Sequence, residues 1–368
     1  MNIGIPTEIK PQECRVSVVP ATVKQLCARG HSVYVQAGAG EGSSYPDSQY
    51  LASGAQIVPD AQAVFEAAEM IVKVKEPQPS EIAMLNDSHV LFTYLHLAAS
   101  KDLTEGLVAS GCTAIAYETV EENRRLPLLE PMSEIAGRMS AIVGSYHLAK
   151  HRGGRGTLLG GVPGVAPGRV VVIGGGTAGV NAARVATGIG ADVTILEVDI
   201  ERMRFLDITM AGANTVYSTE ANLAELLPRI DLVIGAVLVP GAAAPKLITR
   251  EMLHLLQPGS VLVDIAVDQG GCTETTRPTT HDDPTYFEEN VLHYCVANMP
   301  GAYARTSTQA LNNATERYLL KLADQGVSAA LKGDPALAKG LSVAKGMLVS
   351  APVAEAHGMP CATVESVL

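Results

Sequence analysis

The sequence predicts an α/β fold of two doubly wound parallel-sheet domains, one inserted into the other. Three observations predict it. Short apolar runs alternate with helical patterns through about the first 130 residues, the rhythm of βαβ units in a sheet covered on both faces. A second series of such units opens at Val170-Val171-Val172-Ile173, followed at once by Gly174-Gly175-Gly176-Thr177-Ala178-Gly179. Two long helical stretches, 132–150 and 306–323, flank that second series and carry the chain out and back. The expected division is therefore residues 1–131 as the first part of one domain, 132–305 as the inserted domain, and 306–368 as the helix and tail that complete the first.

Composition narrows the class. The 368 residues exceed one ordinary core. A net charge of −11, with no cluster of Lys or Arg, leaves no field for nucleic acid. No apolar run reaches the length of a membrane span, and the start MNIGIPTEIK lacks the apolar stretch of a signal peptide. Six scattered cysteines (14, 27, 112, 272, 295 and 361) form no C-x-x-C pair, which argues against a disulfide framework and a zinc site. No metal is expected, and the cytoplasm is the expected compartment. The chain shows no internal repeat.

In the first series, residues 2–5 read as a strand, 20–29 as a helix opened by Pro20 and ended by Gly30, and 32–36 as the next strand. Helical patterns at 47–52, 61–68, 81–85 and 101–109 separate apolar runs at Ile57, 70–75, 90–95 and 113–117. Three segments carry polar residues that packing alone does not demand. In 70–75, Val72 and Val74 share one face while Lys73 and Lys75 share the other. A lysine at the carboxyl end of a parallel strand points into the ligand crevice, whereas on a solvated edge strand both lysines are ordinary surface residues. In 90–96, Phe92, Tyr94 and His96 share a face, with His96 last. His96 can exchange a proton near neutral pH, or sit buried on a backbone carbonyl. The planar fork of Arg15 suits capture of a carboxylate, and the neighbouring Glu13 and Glu8 offer a plain surface pair instead.

The second series is the more specific. The run Gly174 to Gly179 has the G-x-G-x-x-G spacing at a strand-to-helix turn. Gly174 serves the tight turn, Gly176 a close backbone approach to a pyrophosphate, and Gly179 the contact of helix with strand. A helix with Ala182, Val185, Ala186 and Ile189 on one face follows, then a strand 193–196 ending at Glu197. An acid about twenty residues beyond the glycines accepts ribose hydroxyls and repels a 2′-phosphate. Together these make the insert a Rossmann dinucleotide-binding domain that takes NAD. Strands at 214–217, 232–235 and 260–265 and helices from Thr219 and Thr249 continue it. Asp264 interrupts one strand and Asp268 stands just past it, either facing the nicotinamide or capping the following turn. A last strand, 291–296, breaks at Ala297-Asn298-Met299-Pro300, which leaves Asn298 as a second polar candidate.

At this point the chain resembles the bacterial NAD-dependent alanine dehydrogenases along nearly its whole length. The likeness rests on Gly4-Ile5-Pro6-Thr7-Glu8 with Arg15-Val16, Lys73-Val74-Lys75-Glu76-Pro77, Tyr94-Leu95-His96-Leu97-Ala98-Ala99 and Ala116-Tyr117-Glu118-Thr119-Val120. Further on it rests on Pro131-Met132-Ser133, Gly160-Gly161-Val162-Pro163-Gly164-Val165, the segment 234–241, Asp268-Gln269-Gly270-Gly271-Cys272 and Asn298-Met299-Pro300. The resemblance implies that Arg15 and Lys75 hold the substrate carboxylate, with Tyr94 and Asn298 beside it, and that His96 and Asp268 are the acid–base pair. For the cofactor it implies Ser133, Thr177, Ala178, Glu197, Arg202, Ser218, Val237, Leu238, Arg277, Asn298 and Met299. Ile265, Ala266 and Val267 leading into Asp268, and Val296 and Ala297 leading into Asn298, complete that set. Many relatives carry aspartate where Glu197 stands.

The activity so implied is reversible oxidative deamination of L-alanine to pyruvate and ammonium, with homohexameric assembly. Other readings stand beside it: the NAD-binding subunit of a proton-translocating transhydrogenase, a saccharopine-type dehydrogenase with a longer dicarboxylate substrate, or a non-catalytic NAD sensor. The Lys-Val-Lys-Glu-Pro segment and the lack of membrane spans count against the first, and the joint presence of Arg15, Lys75, His96 and Asp268 against the last.

Overall fold

The computed structural model describes residues 1–237 and 244–368. Along the chain the first strands are β1 (Asn2–Ile5), β2 (Ser32–Gln36), β3 (Gln56–Val58), β4 (Met70–Val72), β5 (Val90–Thr93) and β6 (Thr113–Ala116). Then come β7 (Arg169–Ile173), β8 (Asp192–Glu197), β9 (Ala213–Tyr217), β10 (Leu232–Gly235), β11 (Val261–Asp264), β12 (Thr285–Glu288) and β13 (Val291–Tyr294). The return adds β14 (Leu341–Ala344) and β15 (Met347–Leu348). The chain divides into two compact units, Met1–Met132 with Gly301–Leu368, and Ser133–Pro300.

In the first unit the eight strands lie in the order β15-β14-β6-β5-β4-β1-β2-β3. Strands β1 to β6 are mutually parallel, while β14 pairs antiparallel with β6 and β15 antiparallel with β14 at one edge. The helix Ala304–Gln325 is stitched to the N-terminal segment by buried polar side chains. Thr308 Oγ1 accepts the Val16 N–H at 3.1 Å, and Asn312 Oδ1 accepts that of Val19 at 3.0 Å. Those bonds fix the loop that carries Arg15 from a helix nearly 300 residues away.

In the second unit the order is β12-β13-β11-β10-β7-β8-β9, parallel except for the edge strand β12. Counted from β7 this is the doubly wound arrangement with its topological switch between β7 and β10. The apolar runs are buried on both sides, as parallel strands require. Val170, Val172, Val193, Ile195, Leu232 and Ile234 face a core completed by Ala136, Met139, Ala182, Ala183 and Ala186. Val171, Ile173, Leu196, Val233 and Leu262 face another, made with Leu223, Leu227, Met252, Leu253 and Leu256. The small residues let helices come close. A Cβ on Gly137, in the helix Glu130–His147, would stand 2.1 Å from the carbonyl oxygen of Ala178 in the helix Thr177–Gly188.

Of the expected strands that end early, two do so for the same reason. The stretch 70–75 is a strand only to Val72, because Glu8 takes the Val74 N–H at 2.6 Å and reaches that of Lys75 at 3.4 Å. The stretch 90–96 ends at Thr93, because Glu118 takes the N–H groups of Leu95 and His96. In each case a carboxylate replaces the ladder. Nor is β4 an edge strand with solvated lysines: it is central, and Lys73 is 1% exposed.

Candidate active site

In the first unit the candidate residues gather at the carboxyl ends of β1, β4, β5 and β6, where ligands bind in open parallel sheets. Lys73 is buried between two carboxylates, its Nζ 3.1 Å from Glu8 Oε2 and 2.7 Å from Glu81 Oε1. Burial opposes its charge, yet Glu8 and Glu81 more than offset that and hold the ammonium above its ordinary range. Burial pushes the Glu8 carboxyl up, against the pull of Lys73 and the Val74 N–H. Lys73 is thus a structural cation, and the cluster fixes the backbone that delivers Lys75. Lys75 is buried as well, its carbonyl accepting from Thr93 Oγ1 at 2.9 Å.

Arg15 does pair with Glu13, but not on the surface: the side chains are 2% and 0% exposed. Glu13 Oε1 accepts from Nε at 2.6 Å, Oε2 accepts from Nη2, and Nη1 lies 3.0 Å from the Met132 sulfur. Burial opposes the guanidinium charge and the Glu13 hydrogen bonds outweigh it, so Arg15 is held above its ordinary range. Tyr94 donates to the Leu128 carbonyl and its ring meets Tyr117 edge-on at 5.1 Å.

His96 is not deeply buried, and among the described residues no backbone carbonyl satisfies its ring. Its side chain is 39% exposed, and Nδ1 lies 3.2 Å from Glu76 Oε2. The other Glu76 oxygen is paired with Lys10. Burial would raise the Glu76 carboxyl, but His96, Lys75 and Lys10 hold it well below the usual carboxylate range.

In the second unit the candidates again follow strand ends. Gly174 adopts φ +99° after β7, where other residues are strained, and a Cβ on Gly179 would stand 1.8 Å from the Gly174 oxygen. Among the described residues a Cβ on Gly176 would meet nothing within 4 Å, and no side chain caps the helix that begins at Thr177. The first N–H groups of a twelve-residue helix therefore stand at an open glycine backbone, which fits a pyrophosphate. Glu197, ending β8, accepts the Gly175 N–H at 2.8 Å, and Arg202 Nε donates to the Gly175 carbonyl at 2.7 Å. Ser218 donates its N–H to the Glu197 carbonyl at 2.9 Å. Val237 follows β10; Leu238 lies outside the described residues. Arg277 stacks on Tyr286 at 3.9 Å, and Ser133 stands in the first turn of the helix Glu130–His147. Val296 and Ala297 follow β13; Asn298 is left-handed at φ 63°, and Met299 is buried.

After β11 the chain forms a short 3-10 turn, Ile265–Gln269, which includes Ala266, Val267 and Asp268. Its capping acid is Asp264, not Asp268. The fully buried Asp264 accepts from the Ala266 N–H at 3.0 Å, the Cys272 N–H at 2.8 Å and Thr276 Oγ1 at 2.5 Å. Asp268 is exposed, and among the described residues its carboxylate takes no hydrogen bond. The interrupting acid in the strand thus builds the loop and the later one is presented by it. Sequence reasoning offered Glu8 only as a surface partner of Arg15, noted Asp264 only as an interruption of a strand, and assigned no part to Glu76 or Glu118; their signal was a charge placed against or just beyond an apolar run.

Two family sequence models match, described as the N-terminal and C-terminal domains of Alanine dehydrogenase/PNT, over residues 4–136 and 140–351. The chain is 57% identical over 362 residues to an alanine dehydrogenase of Mycolicibacterium smegmatis, covering 98% of each. A solved L-alanine dehydrogenase, 50% identical, superposes with a TM-score of 0.94 over 97% of this chain and 99% of that one. A transhydrogenase from Sinorhizobium meliloti, 25% identical, reaches 0.81 over 95% and 99%. The strand-end sites and these likenesses along the whole chain lead to one assignment: the chain belongs to the Alanine dehydrogenase/PNT family.

Proposed function

We propose that this chain catalyses L-alanine + NAD⁺ + H₂O ⇌ pyruvate + NH₄⁺ + NADH + H⁺. The observation that carries the reading is that the proposed reacting groups stand at or just beyond carboxyl ends of parallel strands: Lys75 and His96 in one sheet, Asp268 in the other. The glycine turn, Glu197 and the segments after β11 and β13 would hold the dinucleotide, with Glu197 on the ribose. When bound, the nicotinamide supplies hydride acceptance and donation, which no side chain can.

The chain's own part is orientation and proton handling. Arg15 and Lys75 would hold the carboxylate of a very small substrate, with Tyr94 and Asn298 beside it, and so fix its Cα. Glu13 sets the direction of the Arg15 guanidinium in advance. His96 would take a proton from, or return it to, the substrate oxygen, and Asp268 would move protons to and from water and the amine. An exposed carboxylate on a loop hydrogen-bonded to Asp264 suits that exchange. We further propose a cytoplasmic homohexamer. Among the described residues, no helix is long and apolar enough to cross a membrane.

The test is to incubate the protein with NAD⁺ and a panel of L-amino acids while following NADH absorbance. L-alanine should give NADH with equal amounts of pyruvate and ammonium. NADH formed only from a longer substrate, or binding of NADH without amino-acid turnover, would replace this reading with a saccharopine-type enzyme or a transhydrogenase subunit.

A further inference from the structure

In the motif Lys73-Val74-Lys75-Glu76-Pro77, Lys75 is assigned to substrate capture and Lys73 to the Glu8–Glu81 cluster, which leaves the charge of Glu76. Glu76 follows β4 and His96 follows the adjacent β5, with Oε2 and Nδ1 3.2 Å apart. We propose that Glu76 is a positioning residue for His96: its carboxylate keeps a hydrogen on Nδ1 and so makes Nε2 the nitrogen that exchanges the substrate's proton. The proposal rests on the reading of His96 as the acid–base group.

Three observations support it. An ionised carboxylate only accepts hydrogen bonds, so the Nδ1 it touches must donate. Glu76 is kept ionised although its side chain is only 14% exposed, because Lys10 pairs with its other oxygen and Lys75 stands near. The imidazole is also fixed from its backbone side, where Glu118 Oε1 accepts the His96 N–H at 2.6 Å and holds the residue at φ 50°. Among the described residues of this unit, the charged and titratable groups in contact around His96 include Glu76 on the ring, Lys10 and Lys75 around Glu76, Glu118 on the backbone, and Tyr94, its ring 5.9 Å away.

The choice of nitrogen matters most in deamination. There the protonated carbinolamine loses its hydroxyl proton as the C=O of pyruvate forms, and the C–N electron pair leaves with ammonia. A neutral imidazole can take that proton at Nε2 only if its hydrogen is on Nδ1. An amide at position 76 can turn its NH₂ toward Nδ1 and select the wrong tautomer, the fate known for an aspartate-to-asparagine change behind a catalytic histidine. In amination the imidazolium carries both hydrogens, so the tautomer has no influence there once the ring is protonated.

Solid-state NMR of the full-length, ¹⁵N-histidine-labelled protein tests this without any variant at position 76; His96→Gln identifies the His96 signals by their loss. Neutral His96 should show a protonated Nδ1 and a bare Nε2; a bare Nδ1 overturns the proposal. Kinetically, Glu76→Gln should lower kcat for alanine oxidation by about 100-fold or more, with KM for alanine and NADH affinity near wild type. The deficit in amination should shrink as pH is lowered. Wild-type kcat for oxidation in Glu76→Gln, beside an inactive His96→Gln, overturns the role of Glu76 alone. An active His96→Gln overturns the reading on which it rests.

Discussion

Glu118 and His96 are joined through the main chain: the carboxylate accepts the His96 N–H at 2.6 Å and the Leu95 N–H at 3.1 Å, and His96 is left-handed at φ 50°. That conformation costs a non-glycine residue roughly 1–3 kcal/mol, so it persists only because its surroundings impose it. Glu118→Ala removes both acceptors. It should destabilise the protein by about 2–3 kcal/mol in denaturant unfolding and lower kcat while sparing NADH affinity. Glu118→Gln, which retains an acceptor oxygen, should be milder on both counts.

These carboxylates also mark where the sequence stops being legible. The glycine turn, the strand after it and Glu197 could be read because their partners are local. The ends of β4 and β5 could not, because the groups that stop them, Glu8 and Glu118, come from about 66 and 22 residues away in the chain and nothing in the strand pattern encodes them. Lys73 and Lys75 looked equivalent by alternation, and only the fold separates a cation locked between Glu8 and Glu81 from one delivered to the strand end. The hairpins β12–β13 and β14–β15 escaped notice because their turns are Glu289-Asn290 and Lys345-Gly346, all at positive φ, without the Asn-Gly or Asp-Gly pair that announces such a turn. Asp264 was legible as an oddity in a strand. Its hydrogen bonds to Ala266, Cys272 and Thr276 were not.

Arg15→Lys keeps a positive charge but loses the planar fork, with consequences at Glu13 as well as at the proposed substrate carboxylate. KM for pyruvate should rise about tenfold or more, while NADH affinity measured by calorimetry stays near wild type. Loss of NADH affinity with intact pyruvate binding would assign Arg15 to the cofactor or the fold.

Glu197 stands at the glycine turn, its carboxylate on the Gly175 N–H. A negative charge there repels a 2′-phosphate, so kcat/KM with NAD⁺ should far exceed that with NADP⁺. Glu197→Gln should narrow the ratio; equal efficiency of the wild type with both cofactors would remove Glu197 from ribose recognition.

Acid should strike at Glu76. Its carboxyl titrates below the ordinary 4.5 in the folded protein, so the unfolded chain binds this proton first as pH falls. The stability it contributes is complete above that ordinary value and is lost progressively below it. Between about pH 5 and pH 3 the wild type should therefore lose more Tm than Glu76→Gln, which has no such proton to bind. Parallel Tm curves for the two proteins would show that the pairing with His96 and Lys10 contributes nothing to folding.

Asp268, presented by a loop that Asp264 builds and without a side-chain hydrogen bond among the described residues, is the proposed proton carrier of the reaction. Asp268→Asn preserves shape but cannot accept a proton. In a correctly folded variant that binds NADH normally, the rate of NADH formation from L-alanine should fall by about 10²–10⁴-fold. Alanine oxidation at the wild-type rate in that variant would contradict the account.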